Sequence, residues 1–373
     1  MRRLILAGGG HAHLQVMQYL GRASLPGWEI VLLSPDPEQV YSGMVPGWMA
    51  GEHELDACTV PLRPLAQACG VRWAGQALSG MDADQRCVWL ANGRRVGYDL
   101  LSLNTGAATD AGALRASGDR LLPIKPLGAF SRRWTDFCQT LSKQTRAPRL
   151  VLVGGGAGGV ELALAARERL GPAARIQLVC GLDGAVPGSA PKVLQRVRRR
   201  LRQAGIEELD ENAVGAPGGI ALDSGKHLAA DLVLAATGGV APDWLAGSQL
   251  ALGEGGYAAV DAYHRSLSHT EVWAVGDVCS RVDRSLAHSG VHAVRAGAVL
   301  ARNLHAAMTE GRLRPYRPRA WSLYLLRTRS DHAIASFGPL SAEGAWVAAI
   351  KRRIDRGFVA RFQVPDAGAE SAS

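Results

Sequence analysis

The feature that most constrains this chain is a short apolar strand running into a glycine turn, and it occurs twice. The first copy reads Arg3-Leu4-Ile5-Leu6-Ala7 into Gly8-Gly9-Gly10-His11-Ala12-His13, the second Arg149-Leu150-Val151-Leu152-Val153 into Gly154-Gly155-Gly156-Ala157-Gly158-Gly159. Each turn opens a helix-patterned stretch that returns to another apolar strand, residues 29–33 in one copy and 175–179 in the other, so each predicts a βαβ unit. In such a turn the first glycine makes the bend, the second lets backbone approach a pyrophosphate, and the third lets helix pack on strand. The phosphates then lie on the positive end of the helix. Copy two has all three glycines, Gly154, Gly156 and Gly159. Copy one has Gly8 and Gly10 but His13 at the third place, which predicts a helix that stands further off or tilts, with His13 as a packing residue.

Ribose recognition in these units normally uses an acid at the end of the second strand. Copy one has Ser34-Pro35-Asp36, with Asp36 slightly beyond the usual place; copy two has Cys180-Gly181-Leu182-Asp183, with no acid there and no arginine cluster for a 2′-phosphate. The choice between NADH and NADPH stays open. The 373 residues leave room for two or three domains, and 45 glycines suit a fold with many tight turns. With 42 basic against 33 acidic residues the net charge is +9, a balance that suits anionic cofactors, nucleic acid or an anionic membrane surface, or that reflects a general bias toward arginine. Only 6% of residues are aromatic, which argues against a stacking platform for single strands. The basic run Arg196, Arg198, Arg199, Arg200 and Arg202 shares a predicted helix with inward Val193, Leu194, Val197 and Leu201, so it reads as a solvated face and no nucleic-acid partner is expected. Cysteines 58, 69, 87, 138, 180 and 279 form no C-x-x-C pair; a reduced, cytoplasmic setting without a redox dithiol or a metal site is expected. The amino-terminal residues imitate a signal peptide but read better as a strand, and no apolar run is long enough to span a membrane.

Further segments place the two units in order. Tyr98-Asp99-Leu100-Leu101-Ser102-Leu103-Asn104-Thr105-Gly106 and Ala230-Asp231-Leu232-Val233-Leu234-Ala235-Ala236-Thr237-Gly238 are parallel strand-and-turn endings; Glu271-Val272-Trp273-Ala274-Val275-Gly276-Asp277-Val278 is another strand, and Ser289-Gly290-Val291-His292-Ala293 starts a helix. Over roughly residues 1–310 the series resembles the two-dinucleotide-binding-domain flavoproteins, the pyridine nucleotide-disulfide oxidoreductase superfamily in its branch without the redox disulfide, near type II NADH dehydrogenases and sulfide:quinone reductases. A narrower resemblance, extending to about residue 362, is carried by residues 8–13, by Tyr41-Ser42-Gly43-Met44-Val45-Pro46-Gly47 and by Arg353-Ile354-Asp355-Arg356-Gly357-Phe358. These are similar to the flavoprotein family fused in some organisms to selenide, water dikinase.

The resemblance implies an α/β fold of two Rossmann-like domains, the second inserted in the first, with a small C-terminal α+β region. Its parts would be 1–115 and 250–312 for FAD, 116–249 for NAD(P)H, and 313–373. It implies FAD contacts at Gly8, Gly10, Thr105, Gly106, Gly276, Asp277 and Val291, with His11 and Asp36 added from the turn and strand end. Nicotinamide nucleotide contacts are implied at Gly154, Gly156, Gly159 and Gly238. Glu161 matches a glutamate near nicotinamide and flavin, or is a helix-start carboxylate favoured by the dipole. Lys125, between Pro123 and Pro126, matches a Lys-Pro pair that reaches the flavin, or is a hinge lysine; His11 is a candidate proton donor. His288 stands where the narrower family has a lysine.

Sulfide oxidation would need two cysteines flanking the ring, and only Cys279 lies near. In the C-terminal stretch Trp346, Ile350, Ile354 and Phe358 fall four apart on one side of a helix, with Arg352 and Arg356 opposite and Lys351 and Arg353 at the flanks. That pattern suits peripheral contact with a membrane where a lipid quinone is collected, docking on the flavin domain, or a dimer contact. The expected function is an FAD enzyme taking hydride from NAD(P)H and passing electrons to a quinone or other small acceptor. The alternatives are a sulfur- or selenium-handling flavoenzyme and a non-enzymatic flavin redox sensor.

Overall fold

The computed structural model describes residues 1–141 and 146–364. Strand β1 (Arg2–Ala7) runs into helix α1 (His11–Leu20) and returns as β2 (Trp28–Leu33); helix α2 (Val45–Ala50), β3 (Arg72–Ala74) and β4 (Leu100–Leu103) follow. The second unit contains β5 (Leu121–Pro123), β6 (Arg149–Val153), α3 (Ala157–Leu170), β7 (Arg175–Val179), α4 (Pro191–Gln203), β8 (Glu207–Leu209) and β9 (Leu232–Ala235). Then come β10 (Val272–Ala274) and the long helix α5 (Gly290–Met308). The chain continues through the antiparallel strands β11 (Leu323–Arg329), β12 (His332–Phe337) and β13 (Leu340–Gly344) to helix α6 (Ala345–Ala360).

Two five-stranded parallel sheets result, in the orders β10-β4-β1-β2-β3 and β5-β9-β6-β7-β8. Their inner four strands share one topology. They differ in the outermost strand: β10 reaches the first sheet from beyond the second unit, whereas β5 enters the second sheet from before it. The fold is thus the expected α/β class, with one Rossmann-like unit interrupting the other and an α+β region after both. Strands buried on both faces must be apolar throughout, and Leu4, Ile5, Leu6 and Ala7 of β1 and Leu150, Val151 and Leu152 of β6 are fully buried. Each such leucine or isoleucine contributes about 1.5–3 kcal/mol by leaving water.

Two expectations change. Val193, Val197 and Leu201 do face inward from α4, but the arginines opposite are not a free solvated face. Arg196 and Arg199 bond Glu343 of β13, and Arg200 lies 3.5 Å from the same carboxylate. An acidic side chain 140 or more residues away recruited them, which no local pattern reveals. On α6 the row Trp346, Ile350 and Ile354 stays exposed, and Phe358 alone of that row turns partly inward. The buried face is Val347, Ala348, Lys351, Asp355 and Val359, so Lys351 lies at its centre rather than at a flank. Among the described residues no helix is long and apolar enough to cross a membrane.

Candidate active site

The glycine turns sit where the topology reverses, at the carboxyl ends of β1 and β6. Gly8 has φ +92° and Gly154 φ +127°, conformations open to glycine. A Cβ at Gly8 would collide with the Asn104 carbonyl at the end of β4, and one at Gly154 with the Ala236 carbonyl just past β9. At the third position the copies diverge. A Cβ at Gly159 would strike the Gly154 carbonyl, whereas His13 is fully buried, donates from Nδ1 to the Gly8 carbonyl at 2.6 Å, and accepts at Nε2 from Ser102 at 2.8 Å. Burial lowers its pKa to about 4, so the ring packs as a neutral group. A Cβ at Gly156 would meet nothing within 4 Å. Both helices start without a side-chain cap, leaving N–H groups for an anion.

Asn104, absent from the residues picked out by sequence, ties the first turn together. Its Oδ1 accepts from the Ala12 and His13 backbone N–H groups at 3.2 and 3.3 Å, and its Nδ2 donates to the Val275 carbonyl at 2.8 Å. The signal was a polar residue closing the apolar strand before Thr105-Gly106. From Val275 the chain enters Gly276 and Asp277, whose carboxylate meets Lys125 Nζ at 2.6 Å. Asp277 borders a cavity of about 830 Å³ that extends past Tyr257, Ser289 and His292 to Tyr316. Helix α5 begins at its edge without a side-chain cap, and the Ser289 hydroxyl is buried without a partner. Val291 lies in the first turn of α5. Two uncapped helix starts, glycines that exclude a Cβ, an aspartate and an orphaned hydroxyl fit the pyrophosphate, ribityl chain and ring edge of FAD.

His11, at the start of α1, has a buried Nε2 without a partner. Its ring stands edge-on to Tyr41 at 5.3 Å and Phe358 at 5.5 Å, and those two stack at 4.5 Å. Burial lowers the His11 pKa to about 4, opposed by Asp277 and assisted by Lys125. The Tyr41 hydroxyl donates to Asp355 at 3.1 Å, and Lys351 Nζ donates to Asp355 at 2.9 Å and to the Gly43 carbonyl at 2.9 Å. Glu161 accepts from the Arg327 backbone N–H at 2.6 Å. Burial raises its pKa against the pull of Lys351. Lys351 loses by burial but gains more from Glu161 and Asp355, and its pKa is raised. Lys125 and His11 are thereby grouped around Asp277, while Glu161 is held against β11 and α6.

Asp36 is exposed beyond β2, and Thr105 and Gly238 are exposed at the two strand-end turns, with Gly106 half-buried. His288 is exposed and edge-on to Tyr257 at 4.3 Å. The six cysteines are free, and burial pushes the Cys279 thiol up to about 12. Cys180, Glu208 and Asp210 lie within 4.8 Å of one another. Arg198 already bonds both carboxylates at 2.9 Å, so these form an ion-paired cluster.

Residues 2–310 match the family described as pyridine nucleotide-disulphide oxidoreductase, and the chain belongs to it. The ferredoxin–NAD(+) reductase component of 3-phenylpropionate/cinnamic acid dioxygenase from Photorhabdus laumondii is 30% identical over 213 residues, 55% of this chain and 51% of that relative. The chain spans 31% to 51% of the length of the first curated relatives it matches. NDH2 from Plasmodium falciparum, solved in complex with NADH, superposes with a TM-score of 0.81 at 12% identity, covering 97% of each chain. The sulfide:quinone oxidoreductase of Aquifex aeolicus gives 0.78 at 15%, covering 97% of this chain and 91% of that one. At these identities the likeness is one of fold.

Proposed function

We propose that the chain is an FAD-dependent oxidoreductase that takes electrons from NAD(P)H and passes them to a quinone or another small acceptor without a redox disulfide. The observation that carries this reading is the pair of sheets with the same inner topology, each presenting a glycine turn and an uncapped helix start at its switch point. Bound FAD supplies the two-electron chemistry itself. Gly8, Gly10, Thr105, Gly106 and Gly276 line the cofactor's path, and Asp277 accepts from its sugar-alcohol chain. The N–H groups of α5 at Val291 favour negative charge on the ring edge. Gly154, Gly156, Gly159 and Gly238 hold the nicotinamide nucleotide, and Asp36 serves a ribose. Lys125 holds the Asp277 carboxylate in place through their ion pair, neutral His11 offers a proton site, and Glu161, with its raised pKa, is a second.

Anaerobic stopped-flow mixing of the FAD-loaded protein with NADH and, separately, NADPH tests this. Rapid loss of flavin absorbance with either supports the reading; no loss with both ends it and moves the search to sulfide, selenide or a protein donor.

The narrower kinship with flavoproteins fused to selenide, water dikinase is favoured by one observation. Its three motif segments meet, since His11, Tyr41 and Phe358 pack ring against ring. Peripheral membrane contact is favoured by the outward row of α6, where Trp346, Ile350 and Ile354 are 59%, 41% and 49% exposed, beside exposed Arg352, Arg353 and Arg356. Co-sedimentation with anionic phospholipid vesicles, lost in Trp346→Ser/Ile350→Ser, supports that contact; equal sedimentation of both proteins ends it.

A further inference from the structure

Between α2 and α6 lies a second cavity, of about 430 Å³, that the nucleotide chemistry leaves unused. Its lining holds five cationic side chains, Arg327, Arg329, Lys351, Arg352 and Arg356, against two carboxylates, Glu52 and Asp355. Both carboxylates are already engaged. Glu52 accepts from Arg327 Nε at 3.1 Å and Nη2 at 2.5 Å, and Asp355 accepts from Lys351 and Tyr41. The rim arginines are held more loosely. Arg329 meets only exposed Asp331, at 3.6 Å; Arg352 donates to the Ser330 carbonyl at 2.6 Å; and Arg356 forms no ion pair among the described residues. Arg327 is 6% exposed, yet its Nη1 is buried without an acceptor, a condition that is costly for a charged donor. Met44, His53 and Ser330 complete the lining with small Gly43, Gly47, Ala333 and Ala348.

We propose that this cavity binds a small anion, an inorganic oxyanion or a carboxylate, held by Arg356, Arg352 and Arg329 at the rim. Guanidinium forks pair with either class in the same planar geometry, and the volume lies in the range of small-ligand pockets. A Cβ at Gly43, which lines the cavity, would strike the Tyr41 ring and the Asp355 carboxylate. The anion therefore sits one layer of backbone away from the Tyr41–Phe358–His11 stack. Its binding does not depend on the oxidoreductase reading, because it is measured without turnover.

The test is calorimetric titration of the flavin-containing protein with sulfate, phosphate and succinate, each against chloride at matched ionic strength. It is repeated on Arg356→Ala and Arg352→Ala, exposed positions whose folding is checked by thermal melting. Saturable binding that weakens about tenfold in either variant is the expected result. Tighter sulfate or phosphate identifies the inorganic source, and tighter succinate the carboxylate. No saturable heat beyond chloride overturns the proposal. So does binding unchanged in both variants, which would place the anion at the glycine turns.

Discussion

The Lys125 ammonium meets the Asp277 carboxylate at 2.6 Å across 152 residues of chain, joining the crossover into the second unit to the strand end that follows it. The Lys125 backbone N–H is fixed as well, donating to Thr109 Oγ1 at 3.0 Å. About a third of the lysine side chain is exposed, so the pair contributes at most about 1 kcal/mol to folding. Its consequence is positional. Lys125→Met is expected to shift unfolding by under about 1 kcal/mol while lowering flavin retention, read as the ratio of flavin to protein absorbance after purification. A variant that retains flavin as the parent does would remove Lys125 from the cofactor's surroundings.

Lys351 and Asp355 are a buried pair four residues apart on α6, 9% and 8% exposed. Removing one charge strands the other. Lys351→Met leaves Asp355 and Glu161 without their cation and should cost about 3–5 kcal/mol in urea unfolding. Adding Asp355→Asn should recover about 1–3 kcal/mol of that loss. Strict additivity of the two substitutions would show that they do not interact.

What the sequence disclosed and what it hid divide along a physical line. Gly8, Gly10, Gly154 and the apolar strands before them were legible because a sheet buried on both faces and a turn with positive φ constrain residue type locally. The C-terminal contacts were not, because Arg196 and Arg199 with Glu343, and Glu161 with Arg327, are pairings across 144 to 166 residues. One signal for the buried face of α6 was local. Val347, Lys351, Asp355 and Val359 recur every fourth residue, and opposite charges at that spacing between two valines mark a buried row. The more hydrophobic row of Trp346, Ile350 and Ile354 is the face left exposed.

Burial lowers the pKa of His13 and of His264 from 6.5 to about 4. Each ring takes up its proton in the unfolded chain near the higher value and in the folded chain only near the lower. The stability they contribute is therefore complete above about 6.5 and is lost as pH falls through that window toward about 4. At about pH 5 the loss is about 2 kcal/mol per histidine. His13→Gln keeps an amide to serve the Gly8 carbonyl and Ser102 but does not titrate. Between about pH 7.5 and about pH 5, its urea-derived stability should fall by about 2 kcal/mol less than the parent's. Equal losses would mean that His13 takes up its proton as readily in the folded protein as in the unfolded chain.

The second glycine turn separates a folding role from a binding role within four residues. A Cβ at Gly159 would press on the Gly154 carbonyl, a backbone atom that moves only if α3 shifts against β6. Gly159→Ala should therefore destabilise by about 1–3 kcal/mol through overpacking. Gly156 is different. It has φ −62° and ψ 170°, open to any residue, and a Cβ there meets nothing within 4 Å. Gly156→Ala should leave stability within about 1 kcal/mol, the ordinary cost of alanine at a helix cap. If the open space over Gly156 is where a nucleotide pyrophosphate approaches the backbone, the same methyl should weaken NADH or NADPH about tenfold. Thermal melting and nucleotide titration of the two variants read these effects separately. A Gly156→Ala protein that melts normally and binds nucleotide normally would rule out phosphate contact at this turn, because steric access is the one property the substitution changes.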